Sequence, residues 1–377
     1  MKSCIPRKLF LLSFALCSAQ AAQSPLPAPP PPAPVNSATT AVVPVTATSA
    51  PAASAMVDLH FSNPRGVAVD DKGNIYVADY SDAAVYKITP QGQVSLAVGA
   101  EVKPGEAGRK VEMATPTGVV VDKNGNIYVA DADGGTVWKV PPAGEVVGYT
   151  GKPATPSKDP KEDAAAVFNG ATCLAVDQDG NVYVGDTHGH AVRKISSGGV
   201  VSTLAGNPAA DGASVDGKGT DARFGGPRGI AVDSAGVVYV ADEDFGTVRK
   251  ITPAGVVTTL AGNAGATTGS KDGAGAQAII ASPRGLAVDA KGNVYVACTD
   301  EGTIRKITPD GMVTTIAGKA GETGATDGKG EAARFSGPRG LAVDKAGNVY
   351  VADADNGVIR KISPEGVVST LQGVPLK

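Results

Sequence analysis

The run Pro338-Arg339-Gly340-Leu341-Ala342-Val343-Asp344-Lys345-Ala346-Gly347-Asn348-Val349-Tyr350-Val351-Ala352-Asp353 reads as two short strands joined by a tight turn. Its apolar stretches are too short for helices and rich in Val, Leu and Tyr. Gly347 suits a hairpin turn that needs positive φ. Two more strands follow, at 358–362 and 367–371, joined through Pro364-Glu365-Gly366. The stretch 340–343, 348–353, 358–362 and 367–371 is therefore predicted to be one four-stranded antiparallel meander.

The pattern P-R-G-hydrophobic-A-V-D recurs through the chain. Pro64, Pro116, Ala171, Pro227, Pro283 and Pro338 occupy its first position, at spacings of 52, 55, 56, 56 and 55 residues. The turn glycine recurs at 73, 125, 180, 236 and 292, and the second-strand tyrosine at 76, 128, 183, 239, 295 and 350. Self-similarity at this period marks a repeat architecture. The second strand, I/V-Y-V-A/G-D, is apolar on both faces, so each sheet has to lie between two others. Six such sheets satisfy one another only in a closed ring. The expected fold is all-β, a six-bladed β-propeller over residues 56–377.

Pro-x-Gly-hydrophobic-Ala-Val-Asp, then Gly-Asn-hydrophobic-Tyr-Val-Ala-Asp, then a polar loop and Val-x-Lys-hydrophobic, together resemble the NHL-repeat family in all six units. The resemblance implies the propeller. It does not fix an activity, because that family spans binding modules, sensor domains, RNA binders and a few lyases.

Upstream of the repeats, Lys2, Arg7 and Lys8 precede an apolar run at 9–16, and Ala19-Gln20-Ala21 offers a small-x-small cleavage pattern. Residues 1–21 are thus expected to be a signal peptide, cleaved near Ala21, with a secreted or periplasmic product. Residues 22–55 are Pro-, Ala-, Ser- and Thr-rich, carry no charge, and are expected to be a disordered linker. No stretch approaches the length a membrane helix needs. Removing 1–21 takes away three positive and no negative charges, moving the net charge from −3 to −6. Such a balance argues against nucleic acid as the partner. The removal also leaves two cysteines, Cys173 and Cys298, two blades apart and expected to be free thiols.

In a meander blade, the loops from second to third strand and from fourth strand to the next blade share one face. The latter are long here, at 101–115, 152–170, 207–226, 263–282 and 319–337, so a binding site is expected on that face. Arg65, Arg228, Arg284 and Arg339 follow the repeat proline and are expected around the channel mouth as candidate binding residues, with Thr117 and Thr172 interrupting the ring. Asp131, Asp242 and Asp353 close second strands on the same face and are the other binding candidates. The favoured local reading pairs each arginine with such an aspartate. Phe61, Met113, Phe168, Phe224, Ile280 and Phe335 stand three residues before the repeat position and are read as plugs between blades.

No catalytic constellation or metal-ligand pattern stands out, and no cofactor is expected. His188 and His190 share one loop without histidines at matching positions in other units. Blades this alike point to a non-enzymatic module that binds an envelope protein or glycan through its loop-rich face. The alternative is a metal-dependent lactonase or lyase resembling the gluconolactonase-like propellers.

Overall fold

A computed structural model describes residues 56–99, 108–149, 168–207 and 212–373. All belong to one unit, Ala53–Lys377. The expected signal peptide and linker, 1–21 and 22–55, lie outside the described residues. The chain is a six-bladed β-propeller, and each blade is an antiparallel meander. The last blade runs Pro338–Val343, Val349–Asp353, Val358–Ile362 and Val367–Thr370. Its first strand begins two residues earlier than the sequence suggests. Proline is acceptable there because the head of a strand has no ladder bond to lose.

Gly73, Gly125, Gly180, Gly236, Gly292 and Gly347 all have φ between 75° and 84°, as the hairpin reading requires. Each turn is built on the aspartate that ends the first strand. Asp344 Oδ1 accepts the Ala346 and Asn348 amides at 3.0 and 2.8 Å, and Oδ2 accepts Asn348 Nδ2 and the Tyr350 hydroxyl at 2.8 and 3.2 Å. This accounts for the recurring tyrosine: its ring is buried between blades while its hydroxyl reaches the turn carboxylate. Burial alone would raise the Asp344 carboxyl, but these donors hold it below its ordinary value.

Gly236→Val is therefore expected to lower the melting temperature by an amount equivalent to about 1–2 kcal/mol or more, the cost of forcing a branched residue into left-handed backbone. An added Cβ would meet nothing nearer than Pro253 Cγ at 3.6 Å, so backbone strain is the cause being tested. Gly236→Asn should melt close to the parent, and equal losses in the two variants would show that the conformation is not the reason.

Six buried clusters form the core, each shared by neighbouring blades. Phe224 packs with Tyr183 and Val192 of blade three and Ile230 and Val240 of blade four. Met113, Phe168, Ile280 and Phe335 occupy the corresponding places at other seams, and half-buried Phe61 packs at the seam between blades six and one. The plug reading holds at every seam. There the ring is closed by Val57–Asp58, which pairs antiparallel with Gln372–Gly373. Leu59 and Phe61 add backbone bonds to Leu371 and Gly357.

The first strands line the channel and pack closely. Gly66, Gly118, Gly229, Gly285 and Gly340 each face the next blade's backbone at the position before that blade's own glycine or cysteine. A methyl group on Gly340 would lie 2.5 Å from the Arg65 carbonyl oxygen, and one on Gly118 would lie 3.1 Å from that of Thr172. Blade three has Cys173 here instead. It fits because Gly185 stands opposite it, where the other five blades carry alanine: a Cβ on Gly185 would collide with Cys173 Sγ. Both Cys173 and Cys298 are free, as expected, and burial pushes the Cys298 thiol up to about 11.

Blades four to six carry an extra edge strand that has no counterpart among the described residues of blades two and three. Gly217–Lys218, Gly273–Ala274 and Gly328–Lys329 each pair with the fourth strand of the blade that follows them in sequence. The preceding aspartate fastens the segment. Asp327 accepts Arg360 Nη2 at 2.6 Å and the Thr370 amide and hydroxyl at 3.0 and 3.1 Å, and Asp216 and Asp272 repeat the arrangement with Arg249/Thr259 and Arg305/Thr315. The Asp-Gly-x-Gly runs of the long loops thus go to the outer rim of the ring rather than crowning the channel.

Candidate functional site

A channel of about 410 Å³ runs along the axis, and the six first strands line it. Because the repeat arginine stands second in its strand and that strand starts at the end where the second strand stops, Arg65, Arg228, Arg284 and Arg339 come together at one mouth. Thr117 and Thr172 hold the same position in blades two and three, and Asp133 and His188, from loops after second strands, complete the lining there. The mouth thus has a basic wall from blades four, five, six and one, facing a wall of hydroxyls, one carboxylate and one imidazole.

The arginines do not pair with the strand-ending aspartates, which corrects the sequence reading. Asp131 instead accepts the Thr115 amide at 2.8 Å, Asp242 the Gly225 and Gly226 amides at 2.9 Å, and Asp353 the Ser336 amide at 2.7 Å. The residues just ahead of the repeat proline must expose their amides to make the turn into the first strand, and the carboxylate satisfies them. All three aspartates are buried, at 2%, 0% and 0% exposure, so they face the blade rather than the channel and are not placed to touch a ligand. Burial pushes Asp242 up to about 6, against the pull of the Gly226 amide and the Arg249 charge. For Asp242 and Asp353 the cationic partners are third-strand arginines, Arg249 at 3.7 Å and Arg360 at 3.0 Å, whereas Asp131 accepts the third-strand Trp138 Nε1 at 3.4 Å.

The collar has other partners. Glu243, in the loop after the second strand of blade four, bridges Arg228 and Arg284, the latter at 2.5 Å. Arg65 stacks on Tyr80, its guanidinium carbon 3.4 Å from the ring centroid, and its Nε donates to Asn63 Oδ1 at 3.3 Å. Arg339 has no ion pair among the described residues, and its buried Nε has no hydrogen-bond partner. Burial, and then the like charges of Arg284 and Arg65, push it down to about 10. Thr117 Oγ1 is likewise buried at the mouth without a partner.

Sequence reasoning missed Glu243 and Tyr80. Both occupy the position directly after the second strand's last residue, where the units read Tyr80, Ala132, Thr187, Glu243, Thr299 and Ala354. Variation at that one place, beside strands that barely vary, was the available signal. His188 is exposed at the mouth, while His190 Nδ1 lies 2.5 Å from the Gly225 carbonyl oxygen across a blade seam. Among the described residues, no three His, Cys, Asp or Glu side chains are grouped to hold a metal ion. No described helix is long and apolar enough to cross a membrane.

Comparison with known proteins follows the same division of the ring. A family profile described as NHL repeat matches residues 61–85, 113–140 and 168–195, in blades one to three. One described as Teneurin NHL domain matches 208–271, 266–327 and 321–375, the blades with the fastened edge strand. The chain is 25% identical over 322 residues to the Arabidopsis thaliana chloroplastic protein SUPPRESSOR OF QUENCHING 1, covering 81% of this chain and 25% of that one. It is 25% identical over 340 residues to Mus musculus Teneurin-3, covering 80% of this chain and 12% of that one. Among solved structures, an auxiliary nutrient binding protein from Bacteroides ovatus superposes with a TM-score of 0.60 at 19% identity, covering 83% of this chain and 70% of that one. The chain thus spans a quarter or less of these two curated relatives.

Proposed function

The chain belongs to the NHL-repeat β-propellers, and from that premise we propose that it is an exported, non-enzymatic binding module that engages an envelope protein or glycan through the face bearing the arginine collar. The observation that carries this reading is the collar itself: four guanidiniums gathered at one channel mouth, with Arg339 in no ion pair among the described residues, in a chain of net charge −3. Unsatisfied, partly buried donors that converge on an open cavity are the usual form of a recognition site. Export is proposed from the charged and apolar start of the sequence, and the nutrient-binding description of a protein with this fold is in keeping with it.

The lactonase or lyase alternative would draw on carboxylate and amide ligands around the channel, and the strand-ending aspartates that could have served are buried as caps for backbone amides. Nothing at the mouth favours it over binding. The face assignment can be tested by obstruction. Asp133→Trp places a bulky ring at the collared mouth, and Lys291→Trp places one on an exposed turn at the opposite face. Retention of the cell's own envelope polysaccharides and proteins on the immobilised propeller should fall at least tenfold with the first and stay unchanged with the second. The reverse pattern would move the binding face to the other side of the ring.

A further inference from the structure

Resting on that reading of the face, we infer that the collared mouth takes a carboxylated sugar, a uronic acid residue, with its carboxylate on the Arg339 side and its hydroxyls on the side of Thr117 and Asp133. Three observations lead to this ligand class. One guanidinium of the basic wall is left without a side-chain partner among the described residues. Arg228 and Arg284 share Glu243, Arg65 is held by Tyr80 and Asn63, and Arg339 has no ion pair among the described residues and a bare Nε. The like charges of Arg284 and Arg65 act on it more strongly than the carboxylates of Asp355 and Glu243 do, so an incoming carboxylate relieves repulsion as well as forming charge-assisted hydrogen bonds.

The facing wall is of a different kind. Thr117 Oγ1 is buried with no partner, and Asp133 lines the mouth with an exposed carboxylate. Such groups exchange hydrogen bonds with sugar hydroxyls. Asp133 would repel a ligand charged on both sides, so the pair of walls suits a ligand that is anionic at one edge and neutral and hydroxylated at the other. That excludes polyphosphates and nucleic acid backbones in favour of a uronate. The third observation is size. At about 410 Å³ the channel lies in the ordinary range for small-ligand sites and is large enough for a sugar unit.

Titration calorimetry of the full chain at low salt, with D-galacturonate, tri-galacturonate, galactose and inorganic phosphate as probes, tests the inference. Galacturonate and its trimer should bind, galactose and phosphate at least tenfold more weakly. A trimer no tighter than the monomer would place a single sugar in the mouth, and a tighter trimer would extend the site along a chain; both support the assignment. Arg339→Gln should weaken galacturonate at least tenfold while melting within a degree or two of the parent, and Lys345→Gln, at an exposed ion pair, should change neither. Galactose binding as well as galacturonate would overturn the carboxylate assignment, and phosphate binding as well would reduce the mouth to a general anion site. If no sugar binds but obstruction at Asp133 still abolishes retention of envelope material, the inference fails while the binding face stands.

Discussion

Gly229→Ala is expected to be among the most destabilising single-methyl additions available in this chain, costing at least about 3 kcal/mol against the roughly 1–3 kcal/mol usual for overpacking. The added Cβ would collide with the Arg284 carbonyl oxygen, far inside van der Waals contact, and that oxygen belongs to backbone fixed in the next blade's first strand. A flexible side chain could move aside; here two channel strands would have to part, and with them the seam they share. The same substitution should grow milder around the ring as the gap opens: Gly285 also collides, Gly340 would place the methyl 2.5 Å from the facing carbonyl oxygen, Gly66 2.8 Å and Gly118 3.1 Å. Thermal melts of the five alanine variants should rank in that order. Equal losses at Gly229 and Gly118 would show that the glycines are there for some reason other than close approach.

The second large effect is expected at Arg360, whose side chain is fully buried. It donates to the Arg334 and Thr326 carbonyl oxygens at 2.8 and 2.9 Å, to Asp327 at 2.6 Å and to Asp353 at 3.0 Å. Arg360→Met strands the Asp353 carboxylate in the interior, a loss of about 3–5 kcal/mol for breaking a buried pair from one side. Blade five supplies the control. Arg305 makes the same bonds to Asp272 and to two carbonyl oxygens, but Cys298 stands where Asp353 would be. Arg305→Met leaves no buried carboxylate behind and should cost distinctly less.

The pH dependence separates the two variants. Burial already raises Asp353 above its ordinary 3.8, and removing Arg360 takes away a donor that opposes the rise. A carboxyl raised in the folded state favours folding fully below its unfolded value, and that advantage is lost as pH climbs through the folded value. The deficit of Arg360→Met should therefore shrink as pH is lowered from 7 toward 4, while that of Arg305→Met should not. Parallel losses at every pH would mean that the buried carboxylate is not the source of the cost.

The blades were legible because they are local: hairpin turns, alternating strands and the plug residues all declare themselves within one 55-residue period. The positive φ at Gly236 and the seam position of Phe224 follow from neighbours a few residues away. What escaped was the pairing of distant segments. Asp327 meets Thr370 across 43 residues and Arg360 across 33, and nothing in a local pattern says that an Asp-Gly-Lys-Gly run in a loop belongs to the rim of the blade after it. The arginine collar was placed correctly at the mouth, but its partners were not. Pairing by charge alone chose Asp242 and Asp353 for the collar, whereas the backbone amides ahead of the first strand had the prior claim on them.

One seam of the ring differs from the rest. Between blades one to six the polypeptide itself crosses each junction, but blades six and one are joined without a covalent link, by the short pairing of Val57–Asp58 with Gln372–Gly373, the bridge between His60 and Val358, backbone bonds from Leu59 and Phe61, the exposed Lys345–Asp71 ion pair and the packing around Leu59, Val67 and Tyr350. That junction can part without any blade coming undone. An opened ring would present an unpaired strand edge and an apolar blade face together, both complementary to the same surfaces on another opened molecule. Exchange of the Val57–Asp58 strand between two chains would restore every contact of the closed form, making domain-swapped assembly the characteristic hazard of this propeller at high concentration.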